Sequence, residues 1–220
     1  MEKPYIEFIC ELMTEQELGK PIYVSRMSEC MAQTYHMPLK KAAGAVSVAC
    51  KRIMDGRLIP ELRFYQKGIY YRVTITPFGE TCIDKEQLIE DKYLKDNIGY
   101  ETGLSVLHGL GLTSQLPRER ILATNRAGDC ARIDHKLGVV VRPPKVEINA
   151  ENKQYLKILD VLDILDDAPV DADNPYNIIG EYIERFRLEY LKLLAIANNY
   201  YSRNMVIQLA HVAGEVYEIA

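Results

Sequence analysis

No apolar run in this 220-residue chain approaches the roughly 18 residues that a membrane span needs. The opening segment, Met1 to Glu17, carries acids early and has no small-residue cleavage site, so a secretory signal is not expected. Cysteines are few, odd in number and scattered: Cys10, Cys30, Cys50, Cys82 and Cys130. No pair has the close spacing of a zinc or redox motif, which predicts reduced thiols, mostly in the core, in a cytoplasmic protein. The four histidines supply no second set of metal ligands. No metal and no cofactor are therefore expected, and a membrane partner is not expected either.

What is present suits a buried core, since 48% of the residues are hydrophobic and 26% are charged, both ordinary globular values. The net charge of −4 hides an asymmetry. Between Arg26 and Arg72 nine Lys and Arg face three acids (Glu29, Asp55, Glu61), a local balance of +6. The other residues hold 18 basic and 28 acidic side chains, a balance of −10. A basic segment on an acidic remainder is the pattern expected of a chain that meets a polyanion.

Periodicity predicts a helix over residues 4–18, where Tyr5, Phe8, Ile9, Leu12 and Met13 recur at three- and four-residue steps and Gly19 stops the run. A short extended piece, Pro21 to Val24, follows. Ser25 is the expected N-cap of a second helix, about 26–36, with Met27, Cys30, Met31 and Thr34 or Tyr35 inward. Pro38 breaks that helix and opens a third, about 38–54. Its expected apolar face is Leu39, Ala42, Ala43, Val46, Cys50 and Ile53; a second stripe is Lys40, Gly44, Ser47 and Lys51, flanked by Lys41 and Arg52. Two strand-like runs, Glu61–Tyr65 and Ile69–Val73, are joined by Gln66-Lys67-Gly68, a hairpin signal. This order of helix, strand, two helices and hairpin is that of a winged helix-turn-helix. The residues expected in a DNA groove are Lys40, Lys41, Ser47, Lys51 and Arg52, with Lys67 on the wing. Arg57, Arg63 and Arg72 are expected at phosphates.

The segment Asp84–Ile98 is strongly charged, with a thin apolar face, and reads as a connecting helix. Next comes a glycine-rich stretch, Gly99 to Asn125. Leu104, Val106, Leu107 and Leu110 predict a short buried helix, closed by Gly109 and Gly111, with Leu112 tucking in after it. Gly111 is followed by Leu112 and not by Lys-Ser or Lys-Thr, which excludes a P-loop. A dinucleotide fingerprint needs a strand before its glycines, and here a helix is expected first. His108 has no evident nucleophile or orienting carboxylate beside it, and pairing it with Asp134 and His135 supplies no nucleophile or metal set, so no catalytic residue is expected. Strands are expected within 118–125, 130–136 and 137–142.

In the C-terminal part, Tyr155, Ile158, Leu159, Leu162 and Leu165 predict the inner face of a helix over 152–167, with Asp160, Asp163, Asp166 and Asp167 on an exposed acidic side. A longer helix, about 176–198, and a last one, about 203–217, complete a small antiparallel bundle.

The run Tyr100 to Asn125 resembles the signature of the abortive-infection type IV antitoxins (the AbiEi family) and allied bacterial proteins. The resemblance rests on Gly103, Ser105, Leu107, Gly109, Leu110, Leu112, Thr113, Gln115, Pro117 and Thr124. The run Lys67 to Arg72 is similar to the family's wing, and the resemblance spans about residues 4–145. An extra Gly-Leu step, within Gly109 to Leu112, departs from the pattern and is closer to the allied group. The resemblance implies an α+β protein: a winged helix-turn-helix over 1–82, then an antitoxin-type domain over 83–220, with an α/β part (83–148) and a helical part (149–220). It implies a repressor of its own promoter that opposes a nucleotidyltransferase toxin, with a homodimer as one expected state. The toxin's Gly-Ser step is absent here, and the one Asp-x-Asp, Asp171 to Asp173, lies in a loop, so the chain is not expected to be the toxin. The alternatives are a stand-alone regulator and a protein-binding module without a toxin partner.

Overall fold

In a computed structural model that describes residues 4–216, the periodic segments of the first 55 residues become three helices. They are α1 (Tyr5–Glu15), α2 (Val24–Thr34) and α3 (Leu39–Asp55), with a two-residue strand β1 (Ile22–Tyr23) between the first two. Their apolar stripes converge: Ile9 and Met13, Met27 and Met31, and Ala42, Val46, Ala49, Cys50 and Ile53 form one buried cluster with Ile22, Ile59 and Leu62. The expected Ser25 cap is not formed. The backbone N–H of Val24 instead donates to the Gly68 carbonyl at 2.9 Å, so the chain passes from β1 straight into α2. Pro38 is the residue before α3 and not its first helical residue. Two expected core residues are outside the core. Cys30 is exposed, and Leu39, the first residue of α3, is 53% exposed at the edge of an open cleft.

The hairpin forms as β2 (Leu62–Gln66) and β3 (Ile69–Arg72), pairing Leu62 with Arg72 and Gln66 with Ile69. β1 adds on the far side of β3, giving the order β1-β3-β2. A second hairpin, β4 (Ile75–Thr76) with β5 (Gly79–Glu80), was not expected; its strands are two residues each and carry no periodicity to detect.

The chain divides into two compact units, one ending at Leu88 and the other beginning at Ile89. The expected connecting helix is shorter and irregular. Asp84 caps α4 (Lys85–Ile89) by accepting from the Gln87 N–H, and one π-helical turn (Glu90–Leu94) and a 3-10 turn (Lys95–Asn97) follow.

In the second unit a four-stranded sheet has the order β6-β7-β9-β8, with β7 and β9 parallel and the outer pairs antiparallel. The strands are β6 (Gly99–Thr102), β7 (Arg120–Thr124), β8 (Arg132–Asp134) and β9 (Val139–Arg142). The last three lie where expected. β6 corrects the expectation that a helix comes first in the glycine-rich stretch, because four residues of strand precede α5 (Leu104–Gly109). Gly99 is required there by close approach: a Cβ would lie 2.1 Å from the Tyr93 carbonyl oxygen. At the other end of α5, Gly111 takes φ +77° and lets the Leu112 N–H reach back to the Leu107 carbonyl at 2.9 Å. Leu112 is then fully buried, as its position after the glycine predicts.

Four helices, not three, complete the unit: α6 (Lys153–Ile164), α7 (Pro175–Arg185), α8 (Tyr190–Tyr200) and α9 (Arg203–Val216). The expected single helix over 176–198 is broken where Arg187 turns to φ +51° and the Leu188 N–H closes on the Ile183 carbonyl at 2.9 Å. Tyr217, at the expected end of the last helix, lies outside the described residues. The four helices and α5 share one apolar cluster built on Leu107, Leu112, Leu159, Ile179, Leu193 and Leu209. The described residues form an α+β protein, 50% helix and 15% strand.

Candidate nucleic-acid interface

The core takes one stripe of α3 and leaves the opposite stripe to solvent. Ala42, Val46, Ala49, Cys50 and Ile53 point inward. At 3.6 residues per turn, the line farthest from them runs through Gly44 and Val48. Lys40, Ser47 and Lys51 stand along one side of that line and Lys41 and Arg52 along the other, all exposed. From Lys40 to Lys51 the rail spans about 16 Å at 1.5 Å per residue. The Ser47 hydroxyl donates to the Ala43 carbonyl at 2.8 Å, which leaves its lone pairs facing outward.

Beside the start of α3 an open cleft of about 560 Å³ is lined by Ser25, Glu29, Leu39, Ala43, Lys67 and Gly68, among others. It sets Lys67, in the exposed β2–β3 turn, across from the first turns of α3. Gly68 at φ +82° completes that two-residue turn. Arg57 is exposed just after α3, in the left-handed region at φ +48°.

The nine expected contact residues do not share one situation. Lys40, Lys41, Lys51, Arg52, Arg57 and Lys67 are exposed and have no carboxylate partner among the described residues. Arg63 and Arg72 are occupied within the protein. Arg63 forms a two-pronged ion pair with Glu80 and donates to the Pro60 and Leu62 carbonyls. Arg72 donates to Glu61 at 2.8 Å and to the Thr14 and Gln16 carbonyls at 2.6 and 3.0 Å, with its side chain only 15% exposed. These two arginines fasten strand to strand and strand to helix. The guanidinium of Arg26 stacks 4.7 Å from the centre of the Tyr23 ring.

The expected acidic face of α6 is also largely engaged. Asp160 is 2% exposed and not on the surface. Its carboxylate accepts from Tyr100, Thr102 and Tyr201 and pairs with Arg142, so β6, β9 and the α8–α9 junction converge on it. Burial, and then the adjacent Asp160 charge, push both tyrosine hydroxyls far above their ordinary range, so they stay donors. Asp163 pairs with Lys145 at 2.6 Å, and Asp166 accepts from Asn204 and Gln208.

Of the weaker chemical candidates, His135 is exposed, and His108, Asp134 and Asp171 have structural partners. His108 Nδ1 lies 3.1 Å from the Thr113 carbonyl, at the end of α5. Asp134 accepts from Lys92 at 2.7 Å, from Tyr93 at 2.8 Å and from the Leu137 N–H, closing the β8–β9 turn. Asp171 accepts from Ser114 and so pins the glycine-rich stretch to the loop before α7. Among the described residues no cluster of three or more His, Cys, Asp or Glu could hold a metal ion. No described helix is long and apolar enough to cross a membrane. Sequence reasoning missed Val48 in the cationic face and Asp160 as a buried node; the exposed Val48 was detectable as an apolar residue outside the core stripe. Comparison of the chain with protein-family models, with curated proteins and with solved structures finds no match.

Proposed function

We propose that the chain is a double-stranded DNA-binding transcriptional regulator whose first unit is a winged helix-turn-helix. In this reading α3 is the recognition helix, the β2–β3 turn is the wing, and β1-β3-β2 is the supporting sheet. One observation carries it: five cation and hydroxyl positions flank the uncharged stretch from Gly44 to Val48 on the exposed side of α3, with Lys67 across the adjacent cleft. A helix so built can seat in the major groove while its lysines and arginine displace counterions from the phosphates on either wall. A merely solvated basic helix would gain nothing from keeping acids off both rails.

The regulatory role is proposed from the resemblance alone: an autorepressor and antitoxin in a type IV toxin–antitoxin system, working in the cytoplasm and opposing a nucleotidyltransferase. The second unit would carry that activity. The test of DNA binding is titration of labelled duplex, including the gene's own upstream region, at several salt concentrations. Lys40→Ala with Lys51→Ala should weaken binding and reduce the magnitude of the salt slope by about 2. Unchanged affinity and slope would overturn the reading. The antitoxin role predicts a neighbouring gene for a nucleotidyltransferase whose growth arrest the chain relieves on co-expression; no such gene, or no rescue, leaves a stand-alone regulator.

A further inference from the structure

We infer that Val48 is a base-reading residue, contacting the C5-methyl group of a thymine in the major groove. The inference rests on the DNA-binding reading above and goes beyond it to the chemistry of the site recognised.

Val48 is 52% exposed at the middle of α3, and nothing in the fold asks for it there. A β-branched residue on an exposed helical surface loses rotamer freedom that alanine, lysine or glutamate would keep. Its surroundings make it odder still. The residues one turn away on the exposed side are Gly44, Lys51 and Arg52, with Lys41 two turns away, so an isolated isopropyl group stands between two rows of cations.

A duplex supplies a surface with that pattern. Phosphates line both edges of the major groove, and the floor carries the base edges, where the thymine methyl is the apolar group. The rails of α3 suit the edges, and the central line suits the floor. Gly44, one turn before Val48 on that line, has open space where a Cβ would lie, so no side chain holds the helix away from the bases. Asp55 falls on the same line two turns later, at the C-terminal end of α3 where a helix entering by its N-terminal half leaves the groove. An A-form RNA duplex is a poorer fit, since its deep, narrow major groove does not admit a helix and uracil lacks the methyl.

The experiment starts from the full chain and a random duplex pool. Bound sequences are enriched, and the winning duplex is remade with each thymine replaced singly by deoxyuridine, which keeps every hydrogen-bonding group and removes only the methyl. For the unaltered protein, one or two replacements should lower affinity about three- to tenfold, the effect of one apolar contact. Val48→Ala should bind the thymine duplex more weakly by a similar factor and be indifferent to the same replacements. Alanine is the best helix former, so the variant should keep its fold, checked by its thermal midpoint.

If the duplex is bound but no deoxyuridine replacement matters, or if Val48→Ala stays sensitive to it, the inference is overturned while DNA binding stands. If no sequence is enriched and Lys40→Ala with Lys51→Ala leaves generic duplex binding unchanged, the DNA-binding reading itself fails and takes the inference with it.

Discussion

The hydroxyl of Tyr201, between α8 and α9, donates to one carboxylate oxygen of Asp160 on α6 at 2.8 Å, while the hydroxyl of Tyr100 on β6 donates to the other at 2.8 Å. A single buried anion thereby joins the sheet to the helical part. Thr102 and Arg142 supply the remaining donors, so the charge is both paired and fully hydrogen-bonded. That satisfaction is what makes a buried carboxylate tolerable, and it makes every member costly to remove alone.

Asp160→Ala should therefore destabilise the second unit by about 3–5 kcal/mol, because it leaves Arg142 and three hydroxyls without their acceptor. Tyr201→Phe should cost less, about 1–2 kcal/mol, for one hydrogen bond to a charged group. Chemical denaturation monitored by circular dichroism measures both. A loss below 1 kcal/mol for Asp160→Ala would show that the node does not hold the sheet to the helices.

Asp134 supplies a pH-dependent contribution. Burial works against its ionised form, but hydrogen bonds from Lys92, Tyr93 and the Leu137 N–H outweigh it and hold the carboxyl down from 3.8 to about 2. A carboxyl depressed on folding contributes stability that is present above its unfolded value and lost as pH falls through the folded one. The second unit should thus lose about 1–2 kcal/mol between roughly pH 4 and pH 2, after allowance for screening at the partly exposed Lys92. In Asp134→Asn that part of the acid dependence should disappear, measured as the difference between denaturation curves over this range.

The residues that were legible in the sequence are those whose neighbours in the chain decide their place. Val46, Cys50 and Ile53 share a helical stripe because of spacing alone, and Gly111 ends α5 by its own conformational freedom. Asp160 was not legible. It sits on the same helix as Asp163, just before Asp166, and reads as one of an acidic set, and only the strands at Tyr100 and Arg142, far off in sequence, turn it inward. The break at Arg187 was hidden for a different reason: a non-glycine residue takes positive φ there, without the usual glycine or proline mark. In the candidate interface, a lysine on α3 could be assigned to solvent from periodicity, whereas the fate of Arg63 and Arg72 depended on where Glu80 and Glu61 came to lie.

The cysteines correct another expectation and can be counted directly. Cys30, Cys82 and Cys130 are exposed, Cys10 is half-buried, and Cys50 is buried, so most of the thiols are not core residues. Burial pushes the Cys50 thiol up to about 11, which keeps it protonated and unreactive. Titration of the native protein with an aromatic disulfide reagent at pH 8 should show three fast thiols, one slow one, and a fifth released only on unfolding. Fast reaction of Cys50, identified by peptide mapping, would contradict its place in the core.

Lys41 and Arg72 are both cations of the first unit, and the structure assigns them opposite consequences. Arg72 is bound to Glu61 and to two carbonyls at the end of α1, so Arg72→Ala should lower the stability of this unit by about 2–3 kcal/mol. Lys41 stands exposed in the first turn of α3, where a cation is slightly unfavourable to the helix dipole. Lys41→Ala should leave stability unchanged within about 0.5 kcal/mol while weakening duplex binding and lessening its salt slope by about 1. Denaturation and salt-dependent binding on the two variants separate the roles. Loss of stability with Lys41→Ala, or an undiminished fold with Arg72→Ala, would reverse the assignment of one cation to the interface and the other to the frame.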